Sequence, residues 1–265
     1  MNAHPRRIPH HTPAAHALQW LREGWRLFAT HPGEWVLMAL LILVSLTLVG
    51  IVPMIGRILA MVLLQILAGG MLAAAHSVHE TGKLRFSHFF DGFRLHPGNL
   101  ALVGMLFGLA LTLAGFATFL IAIAISAVSH LLSNLPFGLD MLIQALFADW
   151  TVTLVAVIVM LLALWFTPAL VMLDRVPPFD AMRLSLRACL RNGGATLMLA
   201  AILAIVVPAF VTLTLGFGIF IVVPLVATTV YASYRDVFQI PDSAPQAAPA
   251  PDSVAAADST PDKES

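Results

Sequence analysis

Apolar residues fall along this chain in long uncharged blocks, separated by short segments that hold most of its charge. The first block covers 35–52, and Pro53 with Gly56 then break the helix and turn the chain. The second covers 57–79; past Arg57 only Gln65 and His76 are strongly polar, and Gly69-Gly70 sits inside it. The third, 99–125, belongs to an apolar stretch that reaches Val128. It is longer than an upright crossing needs, so it is expected to tilt, bend at Gly115 or project past the bilayer. The fourth, 150–173, lies between Asp149 and Asp174. The stretch from Asn192 to Tyr234 has no Asp, Glu, Lys or Arg and holds two blocks, 194–213 and 216–235, with Thr214, Gly216 and Gly218 marking their turn. A helix rises about 1.5 Å per residue, so crossing ~30 Å of hydrocarbon takes about 20 apolar residues. The pattern predicts an all-α polytopic membrane helix bundle of about six transmembrane helices. Pro168, Pro208 and Pro224 fall inside blocks and are expected to kink them.

The charged segments carry a second, helical periodicity. Over 16–30, Leu18, Leu21, Trp25 and Phe28 recur at three- and four-residue steps, opposite Gln19, Arg22, Glu23 and Arg26. Over 85–95, Phe86, Phe89, Phe90 and Phe93 form the apolar stripe. Over 178–191, Phe179, Met182, Leu186 and Leu190 do so, against Asp180, Arg183, Arg187 and Arg191, with Pro177-Pro178 setting the start. Such helices are expected to lie in the membrane plane, with apolar residues in the acyl boundary and basic ones among the headgroups. A further short apolar segment, 136–147, carries Asp140 and Gln144 one turn apart and reads as another interfacial helix. In-plane helix, Gly- or Pro-marked break and pair of spans together form a unit that recurs three times, a threefold internal repeat. Its copies carry Gly24-Trp25-Arg26-Leu27 with His31-Pro32-Gly33, then Gly92-Phe93-Arg94-Leu95-His96-Pro97-Gly98, then, more loosely, Ser185-Leu186-Arg187 with Asn192-Gly193-Gly194.

Composition agrees with lipid as the solvent. Of 265 residues, 59% are hydrophobic and only 11% charged, whereas soluble domains carry about 25% charged residues. Mean hydropathy is +0.90. Net charge is zero, so no basic excess points to nucleic acid, and a single cysteine, Cys189, excludes an internal disulfide framework. Arg6 and Arg7 precede the first apolar run, but no small-residue cleavage site follows that run, which reads as a retained helix. Thirteen of the fourteen basic residues fall on one side of a six-span arrangement; only Arg57 falls on the other, near enough to the interface to snorkel. Basic residues favour cytoplasmic loops, so both termini are expected in the cytoplasm. Trp25, Trp35, Trp150, Tyr231 and Tyr234 lie near span ends, where amphipathic rings favour the interface. The first fifteen residues and the acidic Ala/Pro/Ser/Asp-rich segment 239–265 are expected to be disordered.

Chemistry-bearing residues are few. His4, His10, His11 and His16 cluster near the start but have no set geometry and no cysteine partners, so no metal and no cofactor are expected. His76 and His79 stand one turn apart beside Glu80 without a zincin pattern, and read as a solvated interfacial pair. Intramembrane ions mark function by default, and their near-absence weighs against an ion pump. Gln65 is the deepest strongly polar side chain and is expected to bond a neighbouring helix. Gly104 and Gly108, extended by Thr112, form a small-xxx-small stripe suited to helix packing. No phosphate loop, nucleophile elbow or nucleotide fingerprint occurs, and no enzyme is expected.

The run from Phe166 through Thr167, Pro168, Ala169 and Leu170 to Asp174, continuing from Pro177 to Asn192, with Gly24–Phe28 and Tyr231–Phe238, resembles an uncharacterised family of proteobacterial integral membrane proteins. The likeness covers roughly 20–238. Its Pro168-Ala169-Leu170 and Ala181-Met182-Arg183-Leu184-Ser185 parts are also similar to the membrane domain attached to some glycerophosphodiester phosphodiesterases. The resemblance implies an inner-membrane location and supplies no reaction. Two readings of the basic residues Arg22, Arg26, Arg85, Arg94, Arg183, Arg187 and Arg191 follow. In-plane anchoring alone accounts for their pattern; beyond it they contact anionic lipid headgroups or a protein partner. The function expected is a non-enzymatic membrane scaffold or accessory protein. The alternative is a transporter or channel for an apolar or amphiphilic solute, with Gln65, Pro168, Pro208 and Pro224 along its path. A homo-oligomer is compatible with either.

Overall fold

The structure, a computed structural model, describes residues 9–52, 55–133 and 150–240. Every regular element among them is helical. In chain order these are α1 (His16–Thr30), α2 (Pro32–Gly50), α3 (Ile55–Thr81), a 3-10 turn (Phe86–Phe90) running into the short α4 (Asp91–Arg94), and α5 (Pro97–Ser133). There follow α6 (Trp150–Trp165), α7 (Thr167–Met172), α8 (Pro178–Arg191), α9 (Gly193–Leu213) and α10 (Ile219–Val237). The expected interfacial helix at 136–147 lies outside the described residues.

Five helices are long and apolar enough to cross a membrane: α2, α3, the Pro97–Ile121 part of α5, α9 and α10. The crossing expected over 150–173 is two helices instead, α6 and α7, meeting at Phe166. Pro168 is the cause, because it has no N–H for the ladder and its ring crowds the preceding turn. The other two prolines act differently. Pro208 is exposed inside an unbroken α9, and Pro224 is buried inside an unbroken α10. Gly115 does not interrupt α5 either.

The helices form two classes. The core runs through α3, the α6–α7 pair and α10, where Met71, Phe166, Leu170, Tyr231 and Tyr234 are buried together. α3 packs against α2, α5, α7, α10 and the 3-10 turn. α2, α5 and above all α9 lie outside this set, with large apolar side chains such as Leu113, Leu197 and Ile205 exposed. That is the expected surface of helices solvated by acyl chains, since lipid is as apolar as leucine.

The chain turns at Ile51–Val52, after α2, and at Leu213–Gly218, between α9 and α10. In the second, Gly216 has φ +93°, and its N–H bonds the Val211 carbonyl at 2.8 Å, a geometry that glycine adopts at little cost. At one end of the bundle meet α1, the C-termini of α3, α7 and α10, and the junction of α8 with α9.

The first fifteen residues are not uniformly free of structure. His10 N–H bonds the Val237 carbonyl at 2.9 Å, and Thr12 is buried with its N–H and hydroxyl on Asn192 Oδ1, at 2.7 and 3.0 Å. This clamp joins positions 180 residues apart, beyond the reach of a composition argument. Gln239 and Ile240 are likewise folded back, with Ile240 N–H on the Arg235 carbonyl at 3.0 Å; residues 241–265 lie outside the described residues.

Candidate functional site

The charged end of the bundle is a polar layer under a basic rim. α10 organises the layer, because its last turns carry Tyr231, Tyr234, Arg235 and Asp236 in one short run. Asp236 accepts from Trp20 Nε1 at 2.8 Å and pairs with His16 Nδ1 at 2.8 Å, which ties α1 to α10. Tyr234 donates a short hydrogen bond to Asp174, just past α7. Tyr231 Oη meets His76 Nδ1 at 3.0 Å, and Arg235 donates to His79 Nδ1 at 3.1 Å. Since a guanidinium only donates, His79 accepts there and carries its proton on Nε2. His76 is exposed and His79 half-buried, so the pair sits at the edge of the layer.

These contacts revise the reading of the aromatic residues. Tyr231, Tyr234 and Trp35 are buried in protein near their helix ends, and Trp35 Nε1 donates to the Leu27 carbonyl at 3.3 Å. Trp25 alone of this group is exposed among the residues whose side chains are described. In the sequence Asp174 stood only as the end of an apolar block, and Asp236 drew no attention. A tyrosine or tryptophan one or two turns from a span end, with a carboxylate nearby, was the available signal.

Each of the segments α1, α4 and α8 docks on a longer helix by a small residue. Gly24 on α1 lies against α10, where a Cβ would come 2.5 Å from Thr229 Oγ1 and 2.9 Å from its backbone nitrogen. Gly92 in α4 lies against α3, where a Cβ would collide with the Ile66 carbonyl oxygen. On α8 the small residue is Ser185, buried and placed against α6. Its hydroxyl accepts from the Phe166 N–H at 3.0 Å and donates to the Leu162 carbonyl at 2.8 Å. Phe166 N–H and Leu162 C=O are the pair an unbroken helix would bond to each other. Ser185 therefore inserts into the ladder of α6, a recognised cause of kinks. Thr167 completes the repair by donating to the Ala163 carbonyl at 2.6 Å.

The docking faces differ from the stripes read in the sequence. On α1 the buried residues are Ala17, Trp20, Gly24, Leu27 and Phe28; Leu18 and Trp25 are exposed. On α8 they are Pro178, Ala181, Ser185, Ala188 and Cys189; Phe179 and Leu190 are exposed. The segment 85–95 is not one helix, and only Phe89 of its four phenylalanines is buried. On α8 the buried face is made of small residues, whereas α1 buries Trp20, Leu27 and Phe28 beside Ala17 and Gly24. Cys189 is the one titrating group of this docking surface; burial pushes its thiol from the usual 9.0 up to about 12.

Arg22, Arg26, Arg85, Arg94, Arg183, Arg187 and Arg191 are all exposed. Arg26 is bonded to Glu23 at 2.7 Å. Gln65 is buried on α3, and its Oε1 has no hydrogen-bond partner among the described residues, so the expected bond to a neighbouring helix is not made by that atom. Gly104 abuts the α3 backbone, where a Cβ would lie 2.5 Å from Val62 Cα, and Gly108 faces Met61 Sδ. Pro168 is buried at the helix break, whereas Pro208 points outward, away from any shared path with it. Among the described residues no group of three His, Cys, Asp or Glu is placed to hold a metal ion. His10, His11 and His16 do not converge on one point: His16 is engaged by Asp236.

No family model matches the chain, and no solved structure matches it. It is similar to a probable inner membrane protein of Burkholderia thailandensis, 29% identical over 186 residues that cover 66% of this chain and 67% of the relative. These comparisons do not show the likeness to glycerophosphodiester phosphodiesterase membrane domains read on Pro168–Leu170 and Ala181–Ser185. The apolar helices, their lipid-like exposed surface and this relative converge on one statement: the chain is an integral membrane protein.

Proposed function

We propose that the chain is a non-enzymatic membrane scaffold, made of three copies of one unit, whose in-plane elements hold anionic lipid headgroups at one face of a bacterial inner membrane. The observation that carries this reading is the equivalence of Gly24, Gly92 and Ser185. Each stands two residues before an arginine, and each sets a small residue against a longer helix. In each case that helix is the second span of the preceding unit: Gly92 on α3, Ser185 on α6, and Gly24 on α10, which closes the ring. After each comes a large apolar residue and then an arginine, namely Trp25-Arg26, Phe93-Arg94 and Leu186-Arg187. Docking leaves these arginines exposed on the outside of the bundle, and this reading sets them among headgroups. Each basic residue near an anionic leaflet contributes about 1 kcal/mol.

Replacing Arg183, Arg187 and Arg191 together by Gln tests this. The full chain, purified in detergent, retains less phosphatidylglycerol than the unsubstituted protein. Equal retention, with an unchanged melting temperature, overturns the reading. Reporter fusions at the C-terminus and within 175–191 are expected to place both in the cytoplasm.

A second reading has one specific observation behind it. The unpartnered Gln65 Oε1 and the proline-broken α6–α7 pair belong to the inner helices, and broken helices line substrate paths in transporters. Transport of an apolar or amphiphilic solute would appear as a solute-dependent melting shift that Gln65→Leu abolishes.

A further inference from the structure

α1 has a cleft on each flank, and the two differ in kind. One is polar, about 370 Å³, and is lined among others by Glu23, Arg235 and Asp236. The other is apolar, about 390 Å³, and is lined by Leu18, Leu21, Trp25, Arg22 and Leu225 of α10. Its walls are exposed: Leu18 is 43% and Trp25 54% accessible. They are not spare core, because α1 already commits Ala17, Trp20, Gly24, Leu27 and Phe28 to the bundle.

The rim charge is the telling feature. Arg22 comes four residues after Leu18 and three before Trp25, so it stands beside both on the helix surface. It is exposed, and no carboxylate pairs with it among the described residues. Arg26, one turn on, is bonded to Glu23 instead. An apolar trough bounded by one uncompensated guanidinium complements a molecule with a long apolar part and one anionic head. The polar cleft sets Arg235 between Glu23 and Asp236, so it offers such a head no uncompensated cation.

We infer that the α1–α10 cleft binds one anionic glycerophospholipid, its phosphate on Arg22 and an acyl chain along Leu18, Leu21, Trp25 and Leu225. This rests on the reading of α1 as an in-plane element. The cleft volume falls in the range of about 300–1,000 Å³ typical of small-ligand sites. Trp25 suits the boundary, since an indole favours the headgroup level. A phosphodiester accepts two bonds from the guanidinium fork, which a lysine there would not match.

The experiment uses the full chain in nanodiscs. Phosphatidylglycerol brominated on its acyl chains is added to a phosphatidylcholine background, and tryptophan fluorescence is recorded for the unsubstituted protein and for Trp25→Phe. Quenching assigned to Trp25 is expected at low mole fraction, and Arg22→Gln shifts its midpoint to about five-fold higher lipid. Arg26→Gln leaves the midpoint in place. Native mass spectrometry of the same variants counts the retained lipid. Equal quenching by brominated phosphatidylcholine, or an unchanged midpoint in Arg22→Gln, overturns the inference. Inorganic phosphate that displaces no lipid agrees with a lipid source; phosphate that competes at millimolar concentration refutes it. If Arg22→Gln is silent while the Arg183/Arg187/Arg191 variant loses lipid, this cleft fails and the scaffold reading stands. If neither loses lipid, both fall.

Discussion

α3 and α9 are equally membrane-like by composition and opposite in structure. Their mean hydropathies over a crossing are 2.3 and 2.5, yet half of the α3 window is buried in protein and only 6% of the α9 window. Hydropathy records the preference for lipid over water, and it is indifferent to whether the neighbour is lipid or leucine. Between helices in a bilayer, close packing and polar contacts decide association. α3 has the features that permit this: Gly69 against Leu100, Gly70 against the Phe89 backbone, and the Ile66 carbonyl against Gly92. On α9 the corresponding surface is Leu197, Ile205 and Leu213, all far exposed.

The sharpest way to break this contrast is a side chain at a seam of α3. Gly92→Leu drives atoms into the Ile66 carbonyl and is expected to cost about 3 kcal/mol or more, since backbone cannot yield as a side-chain tip can. Thermal unfolding in detergent would show it as a large fall in melting temperature or loss of folded protein. An unchanged melting temperature would mean that α4 does not touch α3 as described.

Ser185→Ala probes the equivalent dock on α8. It leaves the Phe166 N–H and Leu162 carbonyl without their bridge, at a cost of about 1–3 kcal/mol. Amide exchange at Phe166 should accelerate with it. Slow exchange in the variant would show that α6 and α7 rejoin into one helix by themselves.

Cys189 offers a pH-dependent reading of the same dock. Its thiol is raised, so the folded chain keeps a proton that the unfolded chain gives up. The stabilising contribution is complete below 9.0 and is lost as pH climbs from there toward about 12. The expected loss at pH 10 is about 1 kcal/mol, absent in Cys189→Ala. Maleimide at pH 8 should label the thiol only after unfolding; rapid labelling of folded protein would mean that α8 stands free of α6.

The smallest effect belongs to α9. Ile205→Ala removes methyl groups that meet lipid, and is expected to change stability by no more than about 0.5 kcal/mol. A loss several times larger would point to a protein surface covering that face, such as a second copy of the chain.

How far the sequence reached varies by element. The bounds of α1 and α8 were legible at 16–30 and 178–191, because a 3.6-residue period needs no tertiary partner to be seen. The element near 85–95 was legible as amphipathic but not as a 3-10 turn with a four-residue helix, a difference that period alone does not carry. The faces were read only in part: Phe28 and Phe89 are buried as expected, but Leu18, Trp25, Phe179 and Leu190 are exposed. Large apolar residues look like core, but in a membrane protein the larger apolar surface faces lipid, and the small residues mark the protein seam. Tyr234 with Asp174, and Trp20 and His16 with Asp236, were invisible because nothing local joins partners 60 to 220 residues apart.

Amino-acid order alone determined the solvent of this protein, the apolar runs that form its long helices, and the gathering of most of its basic residues between those runs. These are one-dimensional properties, set by the length of uncharged runs against the thickness of hydrocarbon. Tertiary structure decided which helices are inner, how the proline break at Phe166 is repaired by Ser185, and which arginine at α1 is left uncompensated beside an apolar cleft. Those depend on which backbones can approach closely and which polar groups find each other across the bundle, and such distances are not encoded at any single position.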